Sequence, residues 1–274
     1  MVWLVLAALI LLPKPATAQE TQETQETEEA EEAEDLRGTA KSNKVKAYVS
    51  ADLVSRYMWR GMKLGHVSLQ PEAGIAWRGL SLSAMGSVGI EKDDAEELDL
   101  TLQYQRWGVK IGVTDYWSTG NDPDDRYFYY DAKKGNHQFE GFLGYECKYG
   151  SITAYTMFYG YDWKINGNRA YSTFIELNVP FYLAGIDWDV SVGITPFESA
   201  GYVQRIYFDT AVGQQYVDRK EYFYGNGFTC NMASIRATKR LKLGDVKTPV
   251  FVEIHTNPYL QKANLVLGVS VEPF

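Results

Sequence analysis

Apolar and polar residues alternate with a period of two along most of the chain from about Val45 to Phe274. Leu80, Leu82, Ala84, Gly86, Val88 and Ile90 share one parity, and Ser81, Ser83, Met85, Ser87 and Gly89 the other. Leu98, Leu100, Leu102 and Tyr104 oppose Asp99, Thr101, Gln103 and Gln105. Ile186, Trp188, Val190, Val192 and Ile194 oppose Asp187, Asp189, Ser191 and Gly193; Leu265, Leu267, Val269 and Val271 oppose Asn264, Gly268 and Ser270. Successive side chains of a strand point to opposite faces, so this pattern predicts strands with one apolar and one polar face. Residues 152–160 and 228–238 alternate poorly, and their faces stay unassigned.

Twelve such segments follow one another, and the links between them alternate short and long. The short links are residues 78–79, 107–108, 149–151 and 181–185, with 239–248 longer. The long links are residues 60–67, 91–97, 117–136, 161–170, 196–225 and a modest 257–262. A β-sandwich would show the same alternation but has no reason to gather its short turns at one end. A membrane barrel does, because its two rims face different compartments. The expected fold is therefore all-β: a transmembrane antiparallel up-and-down β-barrel of about twelve strands. An even strand number also puts both chain ends of the barrel on the short-turn side.

Tryptophan placement adds to this. Six of the seven Trp lie beyond the first few residues, all at expected strand ends. Trp77, Trp107 and Trp188 flank short turns; Trp59, Trp117 and Trp163 flank long loops. Two aromatic belts, one per membrane interface, would look like this. Residues 196–225 carry alternating aromatics and predict either a hairpin rising above the membrane or an inward constriction. The chain ends in Phe274, as outer-membrane barrels often do, but Pro273 and Glu272 put it out of phase with Val271, Val269 and Leu267.

Composition alters the picture mainly at the N-terminus. Residues 1–18, MVWLVLAALILLPKPATA, join an apolar run to a small-x-small site at Ala16-Thr17-Ala18 and are expected to be a signal peptide. Beyond it no apolar run reaches the length of a membrane helix. Residues 19–43 open as QETQETQETEEAEEAED, which cannot bury enough surface to fold and is expected to be an acidic linker. That stretch carries much of the net charge of −8, so residues 44–274, the expected barrel, are near neutral. Cys147 and Cys230 fall on strands that are not neighbours, which argues against a disulfide.

SADLVSRYMWRGMKLG at residues 50–65 resembles the first strand and loop of the TorF-like family of porins, through Ser55, Tyr57, Arg60 and Gly61. GVTDYW at 112–117, HQFEGFLGYE at 137–146 and VFVEIHTNPYLQKANLVLGVSV at 250–271 extend the resemblance over nearly the whole barrel. It implies a signal peptide, a twelve-stranded barrel in the outer membrane of a Gram-negative bacterium and a porin-like role. It brings no catalytic residues.

If the apolar faces meet lipid, the polar faces line the lumen. The acids there are Asp52, Glu72, Asp99, Glu140, Glu146, Glu176, Asp187, Asp189 and Glu253; the bases are Lys46, Arg56, Arg60, Lys110 and Lys148. The acidic excess predicts a cation preference, unless cross-strand pairs close so narrow an interior. Arg56 and Arg60 are placed either at a constriction that grips an anion or in ion pairs with lumen acids. Hydrolase chemistry would need a Ser near one of His66, His137 or His255, and only His66-Val67-Ser68 offers one. The acidic loop Asn121-Asp122-Pro123-Asp124-Asp125 reads as a solvated turn; no metal, cofactor or nucleic-acid partner is expected. The expected partners are outer-membrane lipid, the barrel-assembly machinery and small solutes. The function expected is a channel for passive diffusion of small solutes or ions. The alternative is a non-conducting barrel that binds a ligand or partner through its outer loops.

Overall fold

A computed structural model describes residues 44–91, 94–120, 122–210, 213–244 and 246–272. The expected signal peptide, the acidic linker, Asn121 and Phe274 lie outside the described residues. Eighteen strands follow in order: β1 (Lys46–Val54), β2 (Tyr57–Trp59), β3 (Met62–Gly65), β4 (Ser68–Trp77), β5 (Leu80–Gly89), β6 (Glu97–Arg106), β7 (Val109–Ser118), β8 (His137–Cys147), β9 (Gly150–Tyr159), β10 (Thr173–Leu183), β11 (Ile186–Thr195), β12 (Gly201–Thr210), β13 (Gly213–Tyr222), β14 (Thr229–Lys239), β15 (Lys242–Leu243), β16 (Val246–Lys247), β17 (Val250–Asn257) and β18 (Lys262–Val271). Twelve of them form one closed antiparallel barrel in the order β1-β18-β17-β14-β11-β10-β9-β8-β7-β6-β5-β4. The remaining six form three two-stranded hairpins, β2–β3, β12–β13 and β15–β16. Among the described residues no helix is long and apolar enough to cross a membrane, which says nothing about crossing by strands.

The short turns have a local cause. Arg78-Gly79, Trp107-Gly108 and Ala184-Gly185 all sit at positive φ (50 and 88°, 54 and 82°, 57 and 76°). Two central residues at positive φ make the type I′ turn, whose twist matches that of the flanking strands, and glycine takes the second position without steric cost.

The barrel inverts the polarity of a globular core. Among the described residues 22 polar or charged side chains are buried against 10 apolar ones. Large apolar side chains are exposed on the outward parity: Leu80, Leu82 and Val88 on β5, Leu100 and Leu102 on β6, Ile254 on β17, Leu265 and Leu267 on β18. The alternating faces of β5, β6, β11 and β18 are those the sequence predicts. The poorly alternating segments become β9 and β14, ordinary members of the wall.

One link departs from the expected loops, and another takes one of its two expected forms. Residues 57–65 do not project from the rim; β2 and β3 pair with each other and fold into the lumen. Residues 196–225 build β12–β13, which pair only with each other (Gly201↔Tyr222 to Thr210↔Gly213) and leave an exposed hairpin, while Phe223 and Tyr224 at its base turn inward. At the short-turn end the longer link forms β15–β16, and Lys247 bridges to Glu272 to extend the wall beside β18. Cys147 and Cys230 are both free.

Candidate functional site

The inward hairpin begins where the β1–β4 ladder ends, at Val54↔Ser68. Its register shifts between Tyr57 and Met58, a bulge that re-aims the tip. Trp59 pairs with Met62 across a turn of Arg60 (φ 47°) and Gly61 (φ 82°), the same type I′ turn found at the short-turn rim. Arginine in this conformation is uncommon and persists where its surroundings hold it.

Those surroundings come from the opposite wall. The Arg60 guanidinium donates in bidentate fashion to Glu140 on β8, at 2.6 and 2.7 Å, and to the Tyr224 hydroxyl at 2.8 Å. Tyr116 Oη on β7 donates to the same carboxylate at 2.9 Å. Trp59, Tyr155 and Phe174 face the guanidinium at 4.4, 4.2 and 5.1 Å from their ring centroids. A planar cation is thus held by a fork of hydrogen bonds in its plane and by rings around it. Arg60 is 7 % exposed and Glu140 fully buried, so the pair is removed from water.

A second latch holds the tip. The Gly61 N–H donates to His255 Nε2 on β17 at 2.9 Å. Nε2 must therefore accept, which places the imidazole proton on Nδ1, 2.7 Å from Glu253 Oε1. Glu253 Oε2 in turn accepts from Arg236 Nε at 2.8 Å. Asn257 Nδ2 donates to the Gly61 carbonyl at 3.3 Å. A Cβ at position 61 would stand 1.9 Å from the Asn231 carbonyl oxygen, so only glycine fits this approach. Phe174, Tyr224 and Met232 form a buried apolar cluster, joined by Trp59, Met62, Tyr155 and Phe223, which fills the cross-section beneath the long loops.

Below the hairpin lies a cavity of ≈ 500 Å³. Its roof is Met58, Trp59 and Arg60; Tyr116, Tyr155, Glu176, Asp189, Arg236, Glu253 and His255 are among its walls. Glu140 matches Arg60, and Glu253 matches Arg236 at 2.7 Å. Glu176 and Asp189 form no hydrogen bond or ion pair among the described residues, although the charges of Arg60 and Lys110 act on Glu176 from nearby. Elsewhere, Ser68 Oγ, Gln70 Nε2, Ser87 Oγ and Asp99 Oδ1 are buried without a protein partner on the inward faces of β4, β5 and β6.

Asp52, Glu72, Asp99, Lys110, Glu140, Glu176, Asp187, Asp189 and Glu253 all occupy inward parity. Glu72 accepts from Tyr48 at 2.5 Å, and Asp187 binds Arg240 at the short-turn rim. Arg56 departs from the lumen reading: it is exposed at the β1–β18 seam, where Nη1 donates to the Leu265 carbonyl at 3.4 Å. Of the two readings of Arg60, the ion pair with a lumen acid is the one formed. The aromatic belt also needs correction. Trp77, Trp107 and Trp188 flank the short turns on the outward parity, and Trp77 and Trp107 are well exposed. Trp59 is inside, against Tyr116, Phe223 and Tyr224, because the strand it seems to end turns into the barrel. Trp163 belongs to the loop layer, bonded to the Ala132 carbonyl and stacked by Arg169. Trp117 stays near the long-loop rim and packs on Tyr127.

The histidines do not pair with serine. His66 Nδ1 lies 2.9 Å from Asp94, whereas the Ser68 hydroxyl is buried without a partner. His137 sits between Asp115 and the Tyr127 carbonyl, stacked on Tyr130. Sequence reasoning missed His255, Tyr155, Phe174, Tyr224 and Asn231 as a set. The inward parity of His255 next to Asn257 was visible; that both would meet residues 194 and 196 positions away was not.

No protein-family profile matches the chain, and no curated protein does. Among solved structures it is similar to a chain from work on in-meso crystallization of membrane proteins (TM-score 0.37, 10% identity, 82% of each chain covered). It is also similar to OmpF of Salmonella typhi in complex with daunomycin (TM-score 0.34, 9% identity, 84% of this chain and 98% of that one). CdiB from Acinetobacter baumannii follows at TM-score 0.31 and 12% identity, over 85% of this chain and 60% of that one. Similarity at this level carries no argument about function; the closed barrel stands on its own strand pairing, and the resemblance to TorF-like porins rests on the quoted motifs.

Proposed function

We propose that this chain is an outer-membrane β-barrel of a Gram-negative bacterium, exported by its first 18 residues, that forms a narrow channel for small solutes or ions. The observation that carries this reading is the reversed polarity of a closed barrel: apolar side chains outside, hydrogen-bonded and charged ones inside. In lipid only a wall with every backbone group paired is tolerated, and a closed barrel provides it. Interior polar atoms without protein partners support water in the lumen, since buried polar groups are otherwise satisfied. Glu176 and Asp189, which no hydrogen bond or ion pair engages among the described residues, support a preference for cations. Its partners are then outer-membrane lipid, the barrel-assembly machinery that inserts it and the solutes that cross it.

The latched hairpin makes the resting channel tight, and it also favours the second reading, a barrel that conducts little and serves as a binding protein through its loops. Planar-bilayer recording separates the two. The intact protein is expected to give small, infrequent steps, and a variant lacking residues 57–65 larger and steadier ones with a cation-selective reversal potential. Absence of steps from both would sink the channel reading and leave the binding one. Anion selectivity unchanged by Glu176→Gln and Asp189→Asn would sink the assigned preference.

A further inference from the structure

The barrel wall is closed unevenly. β1 meets β18 over four pairs, Ala51↔Val271 to Val54↔Gly268. Past these, Ser55 N–H donates to the Leu267 carbonyl at 2.8 Å, the Leu267 N–H donates to Ser55 Oγ, and Arg56 reaches the Leu265 carbonyl. The chain then leaves the wall as the inward hairpin. Toward the long-loop end, β18 over residues 262–264 has β17 on one side and, among the described residues, no strand on the other.

A cleft of ≈ 470 Å³ opens at that point, between the hairpin and the β17–β18 turn. Met62, Leu260 and Ala263 give it apolar walls, and Lys63, Lys262 and Asn264 supply polar ends. Both lysines are exposed, and neither ammonium group makes a hydrogen bond or ion pair among the described residues. No acid lines the cleft. Below it on the outward face run Leu265 and Leu267, each about half exposed. An unpaired strand edge is not stable against hydrocarbon and needs a polar partner where the apolar belt ends.

We propose that this cleft binds the anionic head group of a membrane amphiphile, whose acyl chain lies along Leu265 and Leu267. The Lys63 and Lys262 ammonium groups neutralise the head group, its oxygens accept from the unpaired β18 edge, and the chain covers outward apolar surface. Cations at the end of an apolar belt attract anionic head groups in this way. The proposal rests on the reading that the barrel spans a membrane, and it adds a lipid-side site to a lumen that takes water-soluble species.

The test uses the full mature chain in phosphatidylcholine vesicles with a photoactivatable long-chain fatty acid, the label located by mass spectrometry. A photoactivatable fatty alcohol of the same length serves as the neutral probe. The acid is expected to concentrate on residues 260–267 and Met62. The K63E/K262E variant should lower that label on the order of tenfold, two surface charges having been reversed. Ala263→Trp, which fills the cleft without changing charge, should lower it as well. The alcohol should label the belt evenly in every protein. Acid label spread evenly around the barrel, or unchanged in K63E/K262E, overturns the proposal, as does its full displacement by inorganic phosphate. Failure of the protein to float with the vesicles overturns the membrane reading and this one together; floating with even label overturns this one alone.

Discussion

Arg60 shows how much one side chain does when its backbone, charge and rings are all constrained. Its positive φ aims the guanidinium across the lumen, and Glu140 receives it in two parallel hydrogen bonds. A buried pair of this kind adds little over apolar packing, but removing one partner strands the other charge and costs about 3–5 kcal/mol. Glu140→Ala is therefore expected to lower the temperature at which the folded barrel changes its gel mobility. Arg60→Met combined with Glu140→Gln should recover most of that loss; equal losses in single and double variants would show that the pair is not coupled. Among the long loops, Arg126 donates to Asp122 from Nε at 2.9 Å and Nη2 at 3.1 Å. It pulls that carboxyl down from 3.8 to about 2. A depressed carboxyl stabilises its loop above the unfolded value and loses that contribution as pH falls through the folded one. Protection of the amides of residues 123–130, measured against their intrinsic exchange rates, should hold down to pH 4 and fall between pH 4 and pH 2, and Arg126→Ala should remove the transition.

At the scale of elements the hairpin of β2 and β3 is the unit that matters, and it was the least legible one. The wall strands could be read because an apolar outside and a polar inside impose a period of two along each strand. Tyr57, Trp59 and Gly61 continue that period, so the tip looks like the end of a strand with an interfacial tryptophan. What turns it inward is a bulge and a set of contacts with β8, β14 and β17, far away in sequence. Lys110, Glu176 and Asp189 were readable as inward residues by parity alone; the pairing of Arg60 with Glu140 was not, because parity gives a face and no depth. The latch on Gly61 has its own test. His255→Ala removes the acceptor of the Gly61 N–H and frees Glu253 from its ring partner. The Gly61 amide is expected to exchange at least tenfold faster, which is 1.4 kcal/mol of lost protection, while amides in β5 and β6 stay unchanged. Equal exchange in both proteins would mean that Arg60 alone holds the tip.

For the whole molecule the distribution of apolar surface is the main fact. A water-soluble domain of this size would bury Leu82, Leu102, Ile254 and Leu267; here all four face outward and exposed. Single-tryptophan variants in vesicles of brominated lipid report on this. Fluorescence from Trp77, Trp107 and Trp188 should be quenched, and that from Trp59, enclosed by Tyr116, Phe223 and Tyr224, should not. Quenching of Trp59 as strong as that of Trp77 would contradict the inward hairpin.

The Arg60-Gly61 turn repeats, inside the lumen, the geometry of Arg78-Gly79 and Trp107-Gly108. The obstruction is thus a short stiff rod and not a slack loop. A rod rotates about its ends, and its ends are Ser55-Arg56, beside the seam of β1 and β18, and His66-Val67, which is bonded to Asp94 and Ile90. Clearing the lumen by such a rotation breaks the Glu140, His255 and Asn257 contacts together instead of one by one. If the proposed channel opens in this way, opening is all-or-none, and a single channel is expected to show two conductance levels with nothing between them.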